Sequence, residues 1–431
     1  MEKIAIIGTG YVGLVTGTCF AELGNKVICV DSDIEKINSL ISGEIPIYEP
    51  GLSALVKKNI KRKRLFFSSE IKKAVRFASI IFIAVGTPSD KKGAADLSAV
   101  ESVSTEIARY MKSYKLVVEK STVPVETGRW VEDTLHTFKK KKVKFDIASN
   151  PEFLREGCAI KDFMQPNRIV IGVQTKKAEN ILRKLYKPFK APIVVTDIKS
   201  AEIIKHASNS FLSMKISFIN TISKICDLCG ADIKQVAEGM GLDKRIGKEF
   251  LNAGIGYGGF CFPKDLAAFI HIAESLGYSA EMLKVIAKVN QDQKKIFIDK
   301  IKSTLWNLNN KTIGILGIAF KPNTDDIRMA PSLDIIKILQ KEGVKIKAYD
   351  PKATDKAKKV LNGVEFCKDP YEVANGSDCL AIVTEWDEFK KMNLKKIKRL
   401  LKQPIIIDGR NIFEPDVMVK LGFRYVCMGR R

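Results

Sequence analysis

Histidine is scarce in this chain. Only His136, His206 and His271 occur among 431 residues, which argues against a histidine-dependent dehydrogenase or a histidine-rich metal centre. Long apolar runs are missing too. The longest, residues 77–85, is far too short to span a bilayer, and the stretch before Gly8 is too short for a signal-peptide core. A soluble, cytoplasmic protein without membrane association is the expectation. Acidic residues are outnumbered, 49 against 72 Lys and Arg, giving a net charge of +23. Such a surplus attracts polyphosphate. Yet the lysines are spread along helix faces, clustering only briefly at Lys61–Arg64 and Lys139–Lys142, with no aromatic-plus-basic RNA module. Nucleic acid is therefore not expected as the partner, and an active site for anionic ligands gains equally from the positive potential. The nine cysteines make no disulfide framework and lie mostly in apolar stretches, as Cys19, Cys29 and Cys379 do. Cys226 and Cys229 form a CxxC without a second pair or a histidine cluster, so no metal is expected.

What the chain does have is 45% apolar residues over a length that exceeds one ordinary core, so two or three domains are implied. KIAII, VICV, SIIFIAV, KLVVEKS and DIASN alternate with helical patterns, which predicts βαβ units and a parallel sheet. From Ile198 to Cys229 the sequence is apolar with few breakers and is followed by Gly230, predicting one deeply buried helix roughly 45 Å long. A second α/β unit begins near Lys311: TIGILG, a helix over 331–342, VKIKAYD, CLAIVTEW and PIIIDGR. It echoes the first, with Asp350 ending a strand as Asp31 does, but lacks the glycine fingerprint. The expected fold is α/β, with two Rossmann-like parallel-sheet domains joined by a long central helix and a helical middle domain. The boundaries are 1–197 for the dinucleotide domain, 198–300 for a middle that links and dimerises, and 301–431 for a nucleotide-like domain adapted to another ligand.

GTGYVG, residues 8–13, follows a strand and opens a helix. In that context Gly8 permits the tight turn, Gly10 lets backbone approach a pyrophosphate, and Gly13 allows close packing. Asp31 stands where a carboxylate accepts from the adenine-ribose hydroxyls and repels a 2′-phosphate, which favours NAD. Lys36 can reach the same ribose or remain a solvated surface lysine. The GTP at 86–88 and the STVP at 121–124 each follow a strand, at the sheet edge where ligands bind.

The segment FLNAGIGYGGFCFPKD, Phe250 to Asp265, leaves backbone exposed to wrap a polar ligand. Pro263 suits the first turn of a helix, placing Cys261 just before its N-terminus, where the dipole and Lys264 favour a thiolate. Lys205 and Asn209, four apart on the long helix, share a face. A lysine there needs a partner or a task, or snorkels to the surface, and an asparagine can donate to an oxyanion. In NPEFLREG, Glu152 and Glu156 follow a strand. One can serve as base toward a water while the other holds substrate or cofactor.

Taken together, GTGYVG, VGTP, EKSTVP, NPEFLREG, AEIIKHASNSFL, GYGGFCFPKD, AFKPNTDDIR and IDGR resemble the UDP-glucose/GDP-mannose dehydrogenase family over nearly the whole chain. The resemblance implies a two-step oxidation of a nucleotide sugar with two NAD through a cysteine thioester. It implies Cys261 as nucleophile, Lys205 and Asn209 as oxyanion stabilisers, Asp265 and Thr122 as holders of a water, and Glu152 as the residue that assists thioester hydrolysis. NAD would be held by Gly8, Gly10, Tyr11, Val12, Gly13, Asp31, Lys36, Thr87, Thr122, Glu156, Lys264 and Arg328. The UDP-sugar would meet Glu152, Phe153, Leu154, Lys205, Asn209, Phe250, Leu251, Asn252, Ala253, Gly254, Gly258, Lys321 and Arg410, with Arg245 reaching into the partner of a homodimer. Phe260 departs from the commoner GGSC wording and leaves the wall of the sugar pocket open. GYGGFCFPKD and SFLSMKISFIN sit nearer UDP-glucose enzymes. Oxidation of GDP-mannose or an N-acetylated UDP-sugar, and a non-catalytic basic Rossmann-type binding protein, are the alternatives.

Overall fold

The computed structural model describes residues 1–88, 90 and 93–430. It divides into two compact units, one of residues 1–208 with 271–278, the other of residues 209–270 with 279–431.

The first unit is built on strands β1 (Lys3–Ile7), β2 (Lys26–Val30), β3 (Leu65–Ser68), β4 (Ile80–Ile83), β5 (Lys115–Glu119), β6 (Phe145–Ser149), β7 (Ile169–Val173) and β8 (Ile193–Thr196). They form one sheet in the order β3-β2-β1-β4-β5-β6-β7-β8. Its central strands are apolar throughout because both faces are covered. Ile4, Ile6, Phe82 and Val118 face one core with Leu14 and Phe20, while Ala5, Ile7, Ile81 and Ile83 face the other with Val75 and Ile107. Chain order reverses between β1 and β4, and such a reversal opens a crevice at the carboxyl ends of the strands. One pairing departs from the expected parallel sheet: β6 and β7 run antiparallel, with a short ladder of Ala148↔Val173 and Ser149↔Gly172. The chain between them is mostly irregular and contains only the short helix Ala159–Met164, too little for a packed crossover.

The second unit holds β9 (Thr312–Leu316), β10 (Lys345–Tyr349), β11 (Val364–Phe366), β12 (Cys379–Ile382), β13 (Ile405–Asp408) and β14 (Arg424–Cys427). Their order, β11-β10-β9-β12-β13-β14, repeats that of the first six strands, and each strand pairs parallel with its neighbours. The echo between the halves is thus a repeat of topology.

The long helix spans Ile198–Cys229 and stops at Gly230, whose φ of +82° suits glycine. At 1.5 Å per residue it is about 48 Å long. Its composition led to the expectation of deep burial, but Phe211, Phe218, Ile225 and Leu228 are exposed. An apolar pattern on all sides told of a helix but not of which face its own chain covers. Among the described residues, no helix is long and apolar enough to cross a membrane.

Candidate active site

In the first unit, β1 runs into Gly8 at φ +100°, where a Cβ would lie 2.5 Å from the Ala84 carbonyl oxygen. A Cβ on Gly13 would collide with the Gly8 carbonyl, whereas one on Gly10 would meet nothing within 4 Å. The turn is therefore tight on its inner side and open on its outer side. There the helix Tyr11–Glu22 begins without a side-chain cap, leaving its first amides for a ligand. Asp31 accepts from the Thr9 amide at 2.9 Å, the Thr9 hydroxyl at 2.7 Å and the Lys36 ammonium at 2.8 Å. Burial raises its pKa, but these bonds outweigh that and hold the carboxyl at about 2. Lys36, partly exposed, is thus an ion-pair partner of Asp31. The Thr87 hydroxyl donates to the Thr122 carbonyl at 2.8 Å, which brings the GTP and STVP loops together. These groups fit a dinucleotide with unmodified ribose hydroxyls.

The loop after β6 carries a buried ion pair. Lys205 Nζ lies 2.9 Å from Glu152 Oε1, with both side chains nearly inaccessible. Glu152 Oε2 accepts the Leu154 amide at 2.5 Å. Phe153 stacks under Arg168, whose guanidinium carbon is 3.7 Å from the ring centroid, with Lys205 5.4 Å away. Glu152 and Glu156 lie on an irregular loop that follows the strand, as expected. Glu156 lies near Tyr11, whose hydroxyl it influences.

In the second unit Cys261 is the first residue of the helix Cys261–Ser275, one position inside the expected boundary, and is partly exposed. Asp265, one turn on, is buried. It accepts Asn209 Nδ2 at 2.6 Å and pairs with Lys264 at 2.9 Å. Lys264, expected to act on the thiol, has its charge engaged by Asp265. Phe250, Leu251, Asn252 and Ala253 lead into a glycine loop pressed on its surroundings. The Gly254 amide donates to Asn220 at 2.8 Å, and a Cβ on Gly258 would lie 2.5 Å from the Met329 carbonyl. Phe250 itself sits at φ +65°, a conformation that costs a non-glycine residue energy. Arg410 donates to the Gly256 carbonyl at 3.0 Å and the Val383 carbonyl at 2.9 Å, tying the loop to the end of β12. Lys321 stands 5.3 Å from the Phe320 ring. Arg328 is bidentate on Asp326 and covers the Phe260 ring at 4.5 Å, with Lys264 at 5.4 Å from the same ring. The unusual Phe260 is thus held by two cations. Arg245 is exposed and paired with Asp243.

Several groups escaped the sequence reading. Lys120 is buried and donates to the Asn150 carbonyl and side chain at 3.0 Å each. Burial brings its pKa down to about 8, against the attraction of Glu152 and with the repulsion of Lys205. Glu119 and Glu202 are buried carboxyls that burial pushes up to about 8 and about 7. Glu49 is buried as well. The available signal was the run of charge in EKS directly after an apolar strand, and a carboxylate inside the turn YEPG.

Comparison with known proteins agrees with this geometry. Family models of the UDP-glucose/GDP-mannose dehydrogenases match residues 2–190 as NAD binding domain, 199–292 as central domain and 314–415 as UDP binding domain. The chain is 51% identical to the UDP-glucose 6-dehydrogenase TuaD of Bacillus subtilis, covering 100% of this chain and 94% of that one. It is 43% identical to the UDP-glucose 6-dehydrogenase of Rhizobium meliloti, with 99% of each covered. A solved UDP-glucose dehydrogenase from Pyrobaculum islandicum superposes with a TM-score of 0.94 at 36% identity, over 100% of this chain and 98% of that one. A UDP-D-ManNAc dehydrogenase from Pyrococcus horikoshii gives 0.88 at 27%, covering 99% of each. With matches to all three family models and full-length relatives at such identity, the chain belongs to the UDP-glucose/GDP-mannose dehydrogenase family and is an NAD-dependent oxidoreductase.

Proposed function

We propose that the chain is a UDP-glucose 6-dehydrogenase, taking the sugar's primary alcohol to a carboxylate through a thioester on Cys261. The observation that carries this is the setting of Cys261: the first position of a helix, one turn before a buried Asp265 that is bonded to Asn209 and Lys264. Bound at the Gly8–Gly13 turn, NAD supplies the two-electron acceptor, and two molecules are consumed per sugar. The Cys261 thiolate adds to the carbonyl carbon of the aldehyde, and its S–C bond holds that carbon while the second pair of electrons leaves. Water then adds to the thioester carbon and gives a proton to Glu152, and the S–C bond breaks to return the Cys261 thiolate. The Lys205 ammonium lies 2.9 Å from the Glu152 carboxylate, and its other N–H groups can serve an oxyanion. Asn209 serves the same charge, and Asp265 with Thr122 orders the water used in proton transfer.

In this reading residues 1–197 bind NAD, 198–300 link and dimerise, and 301–431 bind the UDP moiety, with Lys321 and Arg410 among its ligands. A homodimer formed through the exposed stripe Phe211, Phe218, Ile225 and Leu228 accounts for four large apolar side chains left in water. Arg245 then serves the partner's substrate. Work in the cytoplasm accords with nine free cysteines. The test is NADH counted against limiting nucleotide sugar. UDP-glucose should give two NADH per molecule and outpace GDP-mannose and UDP-N-acetylmannosamine. One NADH with free aldehyde rejects the thioester, and faster use of either other sugar rejects the substrate.

A further inference from the structure

Glu49 lies in the turn between the helices Ile34–Ser42 and Leu52–Lys61, and its carboxylate is buried. Among the described residues no cation is paired with it. One oxygen takes the Tyr11 hydroxyl hydrogen and the Gly157 amide at 2.6 Å, and the other takes the Ala159 amide at 2.8 Å. The Gly157 amide is shared with the Tyr11 oxygen at 2.9 Å. Tyr11 is the first residue of the helix that follows Gly10, and Gly157 directly follows Glu156. One carboxylate thus ties the start of the cofactor helix to the far end of the loop that carries Glu152 and Glu156.

That loop has no regular structure of its own between 150 and 158. Its near end is anchored by Asn150, whose amide nitrogen donates to the Val170 carbonyl at 2.7 Å and whose oxygen accepts Lys120. At its far end the Gly157 and Ala159 amides meet Glu49. Charge-assisted bonds to backbone amides are short and strong, and a buried carboxylate cannot trade them for water. Burial first, and then Glu49, push the Tyr11 hydroxyl well above its ordinary pKa, so it remains a donor.

We propose that Glu49 is a positioning residue, which by gripping Tyr11, Gly157 and Ala159 together fixes the carboxylate loop against the cofactor turn, so that NAD affinity and the use of Glu152 both depend on it. This rests on the roles given above to Glu152 and Glu156. The test uses Glu49→Gln, Tyr11→Phe and the double variant. Calorimetry with NAD alone gives affinity, steady-state kinetics give kcat and both KM values, and thermal melting gives Tm. Glu49→Gln should weaken NAD binding by about tenfold, the factor carried by one charge-assisted hydrogen bond. It should lower kcat in the same sense and leave the KM for UDP-glucose within a factor of about two. Tyr11→Phe should act in the same direction but less, and the double variant should be no worse than Glu49→Gln, because the two act as a unit. A Glu49→Gln protein with a lower Tm but unchanged NAD affinity and kcat overturns the proposal, as does a fully additive double variant. If the wild type fails to oxidise UDP-glucose, the substrate reading falls while calorimetry with NAD still decides the role of Glu49.

Discussion

Cys261 differs from the buried cysteines in its surroundings. Burial pushes the thiols of Cys19 and Cys427 up to about 12 and that of Cys367 to about 11, so they are inert hydrophobes. Cys261 is partly exposed at a helix N-terminus, where unpaid backbone amides favour an anion. Serine keeps its size but supplies almost no anion. Cys261→Ser should therefore bind NAD and UDP-glucose nearly as the wild type does and lose acid formation by several orders of magnitude. Retention of more than about a tenth of normal turnover, with a modest loss of Tm, would show that the sulfur only packs beneath the glycine loop. Asp31 and Lys36 carry a lesson at the same scale. Spacing put both near a ribose, but only the fold places the lysine 2.8 Å from the carboxylate it neutralises.

Among the elements, the long helix poses the clearest question. Phe211, Phe218 and Ile225 recur every seventh residue, and Leu228 extends the line. A stripe at that spacing stays on one side of a helix, the pattern by which helices seam together. Placing an arginine at its centre with Phe218→Arg would forfeit about 1.5–3 kcal/mol of aromatic burial per copy and add a charge to desolvate. Dimer dissociation should strengthen by about a hundredfold or more. Sedimentation velocity at micromolar protein checks this: the wild type should run as a dimer and the variant as a monomer with little change in Tm. A variant that remains dimeric moves the interface elsewhere, and a monomeric wild type removes it.

For the whole molecule, the buried carboxyls Glu119 and Glu202 bear on stability. Glu119 follows the apolar run of β5, accepts the Ser121 amide at 2.8 Å and leaves its second oxygen without a hydrogen-bond partner among the described residues. Glu202 accepts the Glu126 and Gly128 amides at 2.9 Å each. Both have folded pKa values raised from 4.5, to about 8 and about 7. Between those values the folded chain keeps protons that the unfolded chain has lost. Their contribution is full below 4.5 and disappears as pH rises through 7 and 8. The Tm of the wild type should fall between about pH 5 and 8, and Glu119→Gln, which mimics the protonated acid, should roughly halve that slope. An unchanged slope would mean that Glu119 is ionised in the folded state. What the sequence determined by itself were the features with a local cause. The strands of both α/β halves, the stop at Gly230, the tight turn at Gly8 and the first turn ahead of Asp265 follow from periodicity, glycine and helix-end chemistry within a few residues of each position. The edge strands β3, β8, β11 and β14, which are short and partly solvated, went unread, and so did β7, a buried inner strand whose apolar run IVIGV was legible in the sequence. Only the tertiary structure decided that β7 turns antiparallel, that Lys205 neutralises Glu152, that Asn209 and Lys264 converge on Asp265, and that Glu49 grips Tyr11 and Gly157. Each of these depends on side chains brought together from distant parts of the chain. A buried charge takes whichever partner the fold delivers, and that choice is not written in spacing along the sequence.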